Sequence, residues 1–448
     1  MTPVSAVSSV PNYFGGRQSA ILRPVRAAVS ASSTPAKLRA ILATLLAVSL
    51  AWVAIAAWTV AVRTSAADNL VAVSEPLSLD AQQLYRALSD ADATEAAAFL
   101  SGGLEPLALR TRYEADIARA ARRLEAATAA AAQSAAIGSR LATLSTALPV
   151  YAGLVETARA DNRLGLPLGA AYLREASGLM RAALLPAARD LYAQENAQLA
   201  AADRQATALP YAALAVAVIV FIVLLGTQRW LARRTKRILN PGLLVATVAM
   251  LAALIWLVTA LSVARGQLAS ASDRGSAPAE AMARADIAAL QAHADESLTL
   301  IDRSGDDSFQ QDFALLAERL GPARGSLLAE AALVAQGSPG AAPAAAAVRV
   351  APAWFSTHRR VRALDDGGSY TAAVRLAIGN GSADSAVLFG RLDTDLTGAI
   401  SADQASFRSA ALAGRDALAS LEAGMVALGL LMAAGCTWGV SRRLADYR

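Results

Sequence analysis

Few residues in this chain could carry chemistry. The two histidines, His293 and His358, fall in different helical stretches of one segment. Neither has a second histidine, a cysteine or an HExxH spacing beside it, so the pattern offers no zinc site. His293 lies on a polar part of its stretch and reads as a solvated side chain. Asp90-Ala91-Asp92 and Asp393-Thr394-Asp395 look like fragments of calcium loops. Both lack the glycine and the closing glutamate of an EF-hand, so surface charge is the better reading. There is no nucleophile elbow, P-loop or kinase motif set. Asn380-Gly381-Ser382 matches a glycosylation acceptor, a weak three-residue pattern. No catalytic, cofactor-binding or metal-binding residue is expected, and the chain reads as a non-enzyme.

The most informative polar residue is Glu95. It shares a helical stripe with Leu84, Leu88, Ala91 and Ala98. A carboxylate on a bundle seam needs a partner, which an arginine of a neighbouring helix could supply. There it would line a small polar pocket or fix register. Alternatively it sits at the edge of an Ala-rich face and reaches water, which the sequence favours. Glu296 holds the matching place in the second half of the chain.

The elements that position these residues are set by four apolar runs, 40–62, 206–226, 242–263 and 423–440, each free of Asp, Glu, Lys and Arg. Each is about long enough to cross a hydrocarbon core of roughly 30 Å as a helix. They give transmembrane helices at 40–62, 209–228, 242–263 and 423–441. The first reads as an uncleaved anchor, because its apolar run exceeds that of a signal peptide. Trp58, Trp230 and Trp438 fall near span ends, where indoles are favoured.

Charge sets the orientation. The tail 1–36 with Lys37 and Arg39, the loop 229–240 and the tail 442–448 hold thirteen of the 41 basic residues and one of the 36 acids. The loop contributes Arg229, Arg233, Arg234, Lys236 and Arg237. The two long segments carry 14 bases against 16 acids in 63–208 and 14 against 19 in 265–423. By the positive-inside rule the short pieces are cytoplasmic and the long segments extracytoplasmic. The expected location is the plasma membrane, multi-pass, with both termini inside. The net charge of +5 thus reports topology and contact with anionic lipid rather than nucleic acid. Residues 1–36 read as a disordered tail. The single cysteine, Cys436, excludes an internal disulfide.

Both long segments are rich in Ala, Leu, Arg and acids, a helical composition. In the first, Leu77, Ala81, Leu84, Leu88, Ala91 and Ala98 form one stripe, and Tyr113, Ile117, Ala120, Leu124 and Ala127 another. Breakers at 101–106, near Gly138 and at 161–167 divide 63–208 into helices 68–101, 106–136, 139–161 and 168–205, an up-down four-helix bundle. The first helix continues from span one and the fourth runs into span two, with Pro210 as a candidate hinge. Segment 264–422 reads the same way, with turns at 304–307, 337–340 and 365–368 and an extra break at 379–381. The fold class is therefore an all-α membrane protein with four spans and two extracytoplasmic four-helix bundles. The halves align as a tandem repeat: 91–95 matches 292–296, 113–117 matches 309–313, and Arg123-Leu124 matches Arg319-Leu320. Gly424, Gly429, Gly435 and Gly439 line span four, and the last two form a GxxxG pair that suits a homodimer. No span holds an ionisable side chain, which argues against a transporter.

The stretches 91–106 (ADATEAAAFLSGGLEP) and 151–169 (YAGLVETARADNRLGLPLG), with the span–loop–span plan, resemble the GlnX-like four-span membrane receptors of actinobacteria. The resemblance implies two partners, an extracytoplasmic glutamine/glutamate-binding lipoprotein and the cytosolic serine/threonine protein kinase G. It implies a sensor that relays external amino-acid availability to the kinase and so to nitrogen metabolism. The basic loop 229–237 is the candidate partner surface. It transfers no binding residues. The alternative is a structural scaffold or assembly factor of a cell-envelope complex.

Overall fold

The computed structural model describes residues 34–130, 135–208, 211–235, 240–302, 307–321 and 323–445, and among them there is no strand. Four helical runs, Leu38–Leu100, Leu168–Arg233, Pro241–Ile301 and Ser385–Arg442, are long and apolar enough to cross a bilayer. The chain is an all-α, multi-pass membrane protein. It divides into two compact units, one from 34–61, 211–259 and 420–445, the other from 62–208 and 260–419.

The apolar unit holds the N-terminal part of α1 (Thr34–Asn69) with α7 (Tyr211–Thr235), the start of α8 (Pro241–Ala271), and α15 (Leu421–Ala445). Leu45, Trp52, Leu224, Met250, Leu257 and Met432 face inward, while Ile219, Ile222, Val248, Ile255 and Leu430 face outward. Glycines set the helix contacts. A Cβ on Gly242 would lie 2.3 Å from the backbone nitrogen of Gly439 and 2.6 Å from the carbonyl of Gly435. The GxxxG pair of span four therefore packs on α8 within the chain. Asn240 Nδ2 donates to the Gly439 carbonyl at 2.8 Å. Gln228 Nε2 donates to the Leu243 carbonyl at 2.9 Å.

The larger unit is built around two helices with almost no exposed face. α2 (Glu75–Leu100) packs on α3 (Leu107–Ala130), on α6 (Leu185–Thr207) and on α9 (Ala277–Ile301). α9 in turn packs on α10 (Ser308–Leu320), α11 (Leu327–Val334) and α14 (Ser385–Ala419). α4 (Ala135–Arg163) and α5 (Leu168–Leu179) complete the first half, and α12 (Ala341–Asp366) and α13 (Tyr370–Ile378) the second. Alanine makes this possible: Ala87, Ala91, Ala96, Ala285, Ala289 and Ala292 are buried, and a methyl group lets backbones approach closely at no cost in side-chain entropy. The two bundle-forming segments are thus not separate bodies. Each keeps its own apolar core, and a further cluster joins Ala93, Ala96, Ala158 and Leu173 to Ala294, Leu298 and Ile301.

Among the described residues three π-helical turns interrupt the long helices, at Leu70–Ser74, Met180–Leu184 and Ser272–Ser276. Each ends two residues before a proline: Pro76, Pro186 or Pro278. Proline lacks an N–H and clashes with the carbonyl four residues back. A single wide turn relieves both problems without breaking the helix. The first and third occupy equivalent places in the two halves, as the repeat requires.

Some expected boundaries are corrected. Gly138 lies inside α4, so no break falls at it. The fourth helix is described to Thr207, and Ala208 is extended (φ −60°, ψ 147°); its junction with span two lies outside the described residues. The second half has a break that the sequence reading missed. Gly321 precedes Pro322, whose ring forces its neighbour into extended backbone, and Gly321 has ψ 175°. Pro210 and most of the turn 304–307 lie outside the described residues.

Gly275, in the third π turn, lies against α14: a Cβ there would meet Phe407 backbone at 2.7 Å. Gly275→Ala should lower stability by about 1–3 kcal/mol through overpacking. Gly266→Ala, with open space around it, should be neutral or gain up to about 1 kcal/mol in helix propensity. Denaturant unfolding of the full chain in detergent checks both.

Candidate sensing site

Glu95 is buried, not at a wet edge. It shares the stripe of Leu84, Leu88 and Ala91 that packs into the core of its own half. Arg159 of α4, itself 4% exposed, reaches it with Nη2. The same guanidinium meets Glu105 at 3.2 Å and Glu156 at 2.8 Å and lies 4.2 Å above the Tyr113 ring. Burial pushes the Glu95 carboxyl up to about 7, against the pull of Arg159. The expectation that Glu95 reaches water is overturned.

Glu296, at the matching place in α9, is buried with different company. Ser385 Oγ donates to it, at 2.7 Å from each carboxylate oxygen. His293 Nδ1 lies 3.3 Å from Oε2 and His358 Nδ1 3.1 Å from Oε1. Trp354 Nε1 donates to Ser385 Oγ at 2.9 Å. Burial works against the charge, but hydrogen bonds and attraction from the two imidazoles hold the carboxyl down at about 2. The rings are clamped: His293 stacks on Phe389 at 4.0 Å and His358 on Phe313 at 3.5 Å. His293 is therefore a core residue, not a solvated one. The two histidines, far apart in sequence, meet on one carboxylate. Ser385 bonds that carboxylate rather than an imidazole, so the geometry fixes four helices and does not activate a nucleophile. Among the described residues no group of three or more His, Cys, Asp and Glu side chains could hold a metal ion.

Of the acidic fragments read as surface charge, the first is internal and Asp393 of the second is half-buried. Asp90 and Asp92 are buried. Arg86 of α2 binds Asp286 of α9 at 2.7 Å and Asp393 of α14 at 2.5 Å. Arg112 of α3 bridges Asp90 at 2.8 Å and Asp393 at 3.0 Å. Asp92 accepts from Ser177 Oγ at 2.8 Å. Further pairs cross between the halves, Arg408 to Glu75 at 2.9 Å and Arg181 to Asp295 at 2.5 Å. Sequence reasoning missed Arg86, Arg159, Arg181 and Ser385. One signal was available: every Lys or Arg in 63–208 and 265–423 is an arginine, the side chain suited to buried, forked carboxylate pairing.

A cavity of about 320 Å³ opens where α2 and the turn into α6 face α9 and α10. Asp92, Arg181, Arg189, Asp295, Asp312 and Arg319 supply its charges, and Leu185, Leu315 and Leu316 an apolar wall. Both halves contribute to it.

Residues 66–204 match the family model of the actinobacterial sensor domain. The matched segment contains Asp90, Asp92, Glu95, Arg159 and Arg181, one side of the seam and of the cavity. None of the curated proteins and none of the solved structures matches the chain. The match supports a sensory role in actinobacteria for a multi-pass membrane protein. Of the candidate partner surface, Arg229 and Arg233 are exposed on α7. The side chains of Arg234, Lys236 and Arg237 lie outside the described residues.

The two matched glutamates should give opposite pH behaviour. Glu95, raised in the fold from an ordinary 4.5 to about 7, contributes stability that is present below 4.5 and lost as pH rises through about 7. Glu296, lowered to about 2, contributes stability that is present above 4.5 and lost as pH falls through about 2. Unfolding measured from pH 3 to 8 should show the wild-type difference from Glu95→Gln changing between about pH 4.5 and 7. For Glu296→Gln it should change only at the acid end. Arg159→Ala should cost about 3–5 kcal/mol by stranding buried carboxylates, more than an arginine removal at an exposed pair.

Proposed function

We propose that this chain is a non-enzymatic transmembrane sensor that relays external amino-acid availability, through a solute-binding lipoprotein, to a cytosolic serine/threonine kinase. The observation that carries the reading is the sensor-domain match lying in a helical unit built around a seam of buried charge pairs, in a chain with four membrane-spanning helices. The resemblance of 91–106 and 151–169 to GlnX-like receptors supports the lipoprotein and the kinase. The excess of arginine and lysine in the short segments supports cytoplasmic termini, with the helical unit outside.

In this reading the lipoprotein docks on the helical unit and favours one arrangement of the seam over another. A partner shifts such an equilibrium only by its difference in affinity for the two arrangements. The spans carry the change to the basic loop, where Arg229 and Arg233 meet the kinase.

A photo-cross-linking residue placed at Arg229 or Arg233 in living cells tests this. The expected product is a serine/threonine kinase, with a yield that changes when aspartate or glutamate is supplied outside. Cross-links to envelope proteins alone would sink the relay and leave a scaffold. A gene deletion that leaves kinase-dependent phosphorylation responding normally to those amino acids would do the same.

A further inference from the structure

The cavity between the two halves has an uneven distribution of charge. Its deep side carries Asp92 and Asp295, only 4% and 2% exposed. Asp92 is satisfied, by Ser177 Oγ at 2.8 Å and Tyr151 Oη at 3.4 Å. Asp295 Oδ1 pairs with Arg181 Nη2 at 2.5 Å. That one guanidinium also meets Asp312 at 3.3 Å, lies over the Phe309 ring at 4.7 Å and attracts Asp92.

The outer side carries Arg189 and Arg319, both exposed. Arg189 pairs only with its neighbour Asp190, at 3.4 Å, and no ion pair involves Arg319 among the described residues. The cavity therefore has one guanidinium, Arg181, between two buried carboxylates at its floor, and two guanidinium groups, Arg189 and Arg319, at its mouth. Its lining has three guanidinium and three carboxylate groups, so it is neutral overall. A simple anion would leave the floor unmet, and a simple cation would leave the mouth unmet. Its volume of about 320 Å³ falls at the lower end of the roughly 300–1,000 Å³ range of small-molecule sites. Leu185, Leu315 and Leu316 give one apolar wall for a side chain.

We infer that this cavity binds a small amino-carboxylate directly, with its ammonium group toward Asp92 and Asp295 and its carboxylate toward Arg189 and Arg319. Burial raises the Asp295 carboxyl to about 7 in the empty cavity, and an ammonium group beside it would favour the ionised form. A ligand so placed touches α2 and α6 of the first half and α9 and α10 of the second at once. It therefore stabilises the arrangement in which the halves lie as they do here. This rests on the sensor reading for its purpose but not for its measurement.

Titration calorimetry on the purified full chain in detergent, at pH 7, decides it. The probes are L-alanine, L-leucine and L-glutamate, with propionate and ethylamine as controls that carry one charge each. At least one amino acid should bind at least tenfold more tightly than either control. Arg319→Gln, at an exposed position, should leave the unliganded melting temperature unchanged and weaken that binding at least tenfold. Arg189→Gln should do likewise and serves if the first variant misfolds. Absence of binding by all three amino acids overturns the inference. So does a control within threefold of the best amino acid, or an unchanged affinity in both arginine variants. A chain that binds but fails to cross-link to a kinase loses the relay only. One that cross-links but does not bind loses this inference only.

Discussion

The larger unit depends on one contact: α2 of the first half against α9 of the second. A helix of a lone bundle keeps one face for water, and its charged residues stay there. Here each half covers the face that the other would expose. The contact needs small side chains, and alanine supplies them. Around it Glu75, Asp286 and Asp295 pair with arginines of the other half, and Asp90, Asp92, Glu95 and Glu296 are buried as well. Desolvating a carboxylate costs several kcal/mol unless it is paired and hydrogen-bonded. The surrounding helices must therefore deliver bases at fixed positions, and arginine does this from α2, α3, α4, α14 and the turn at Met180–Leu184. Composition, helix order and ion pairing all follow from that one burial.

Duplication explains the plan, and divergence explains the two sites. Glu95 and Glu296 occupy equivalent positions on equivalent helices. In the first half the solution is a single guanidinium shared by three carboxylates, with the Tyr113 ring beneath it. In the second it is two imidazoles, a hydroxyl and an aromatic box of Phe313, Trp354 and Phe389. The halves also differ at Gly321, where α10 has ended although α3 continues through the matching position. The same backbone position thus gained two electrostatic characters. One holds its carboxyl above the ordinary range and the other below it.

Much of the fold was legible because spans, turns and helical stripes are local signals. Charge-free runs and the Gly102-Gly103 turn, with both glycines at positive φ, are read from neighbours in sequence. Gly138 misled because glycine is tolerated within a helix when nothing crowds it. The site was hidden for a different reason. Asp286 and Asp295 meet arginines of the first half, Arg86 and Arg181, while Asp92 and His293 meet Ser177 and Phe389 from distant helices of their own halves, and none of these partners is a neighbour in sequence. A stripe of apolar residues identifies one buried face. It cannot reveal a second face that is buried by alanine and by pairs of opposite charge. The repeat did carry a hint, since it placed Glu95 and Glu296 together as equivalents, but not what either would meet.

A seam of this kind also suits a sensor better than an apolar one. Two interlocked leucine faces resist sliding, because any displacement opens voids in a close-packed core. Alanine faces are smooth by comparison, and the register of α2 on α9 is then set chiefly by charge. Arg86 touches Asp90, Asp286 and Asp393 at once, and Arg112 shares Asp90 and Asp393 with it. A guanidinium has five donors in a planar fork, so a shift of one helix can trade one carboxylate for the next and leave few groups unpaired. Such a cluster provides the discrete alternative packings on which conformational switches depend. The cost of moving between them is a difference between similar ion pairs, not the loss of a core. A small free energy of binding, applied where both halves are touched, is enough to choose between them.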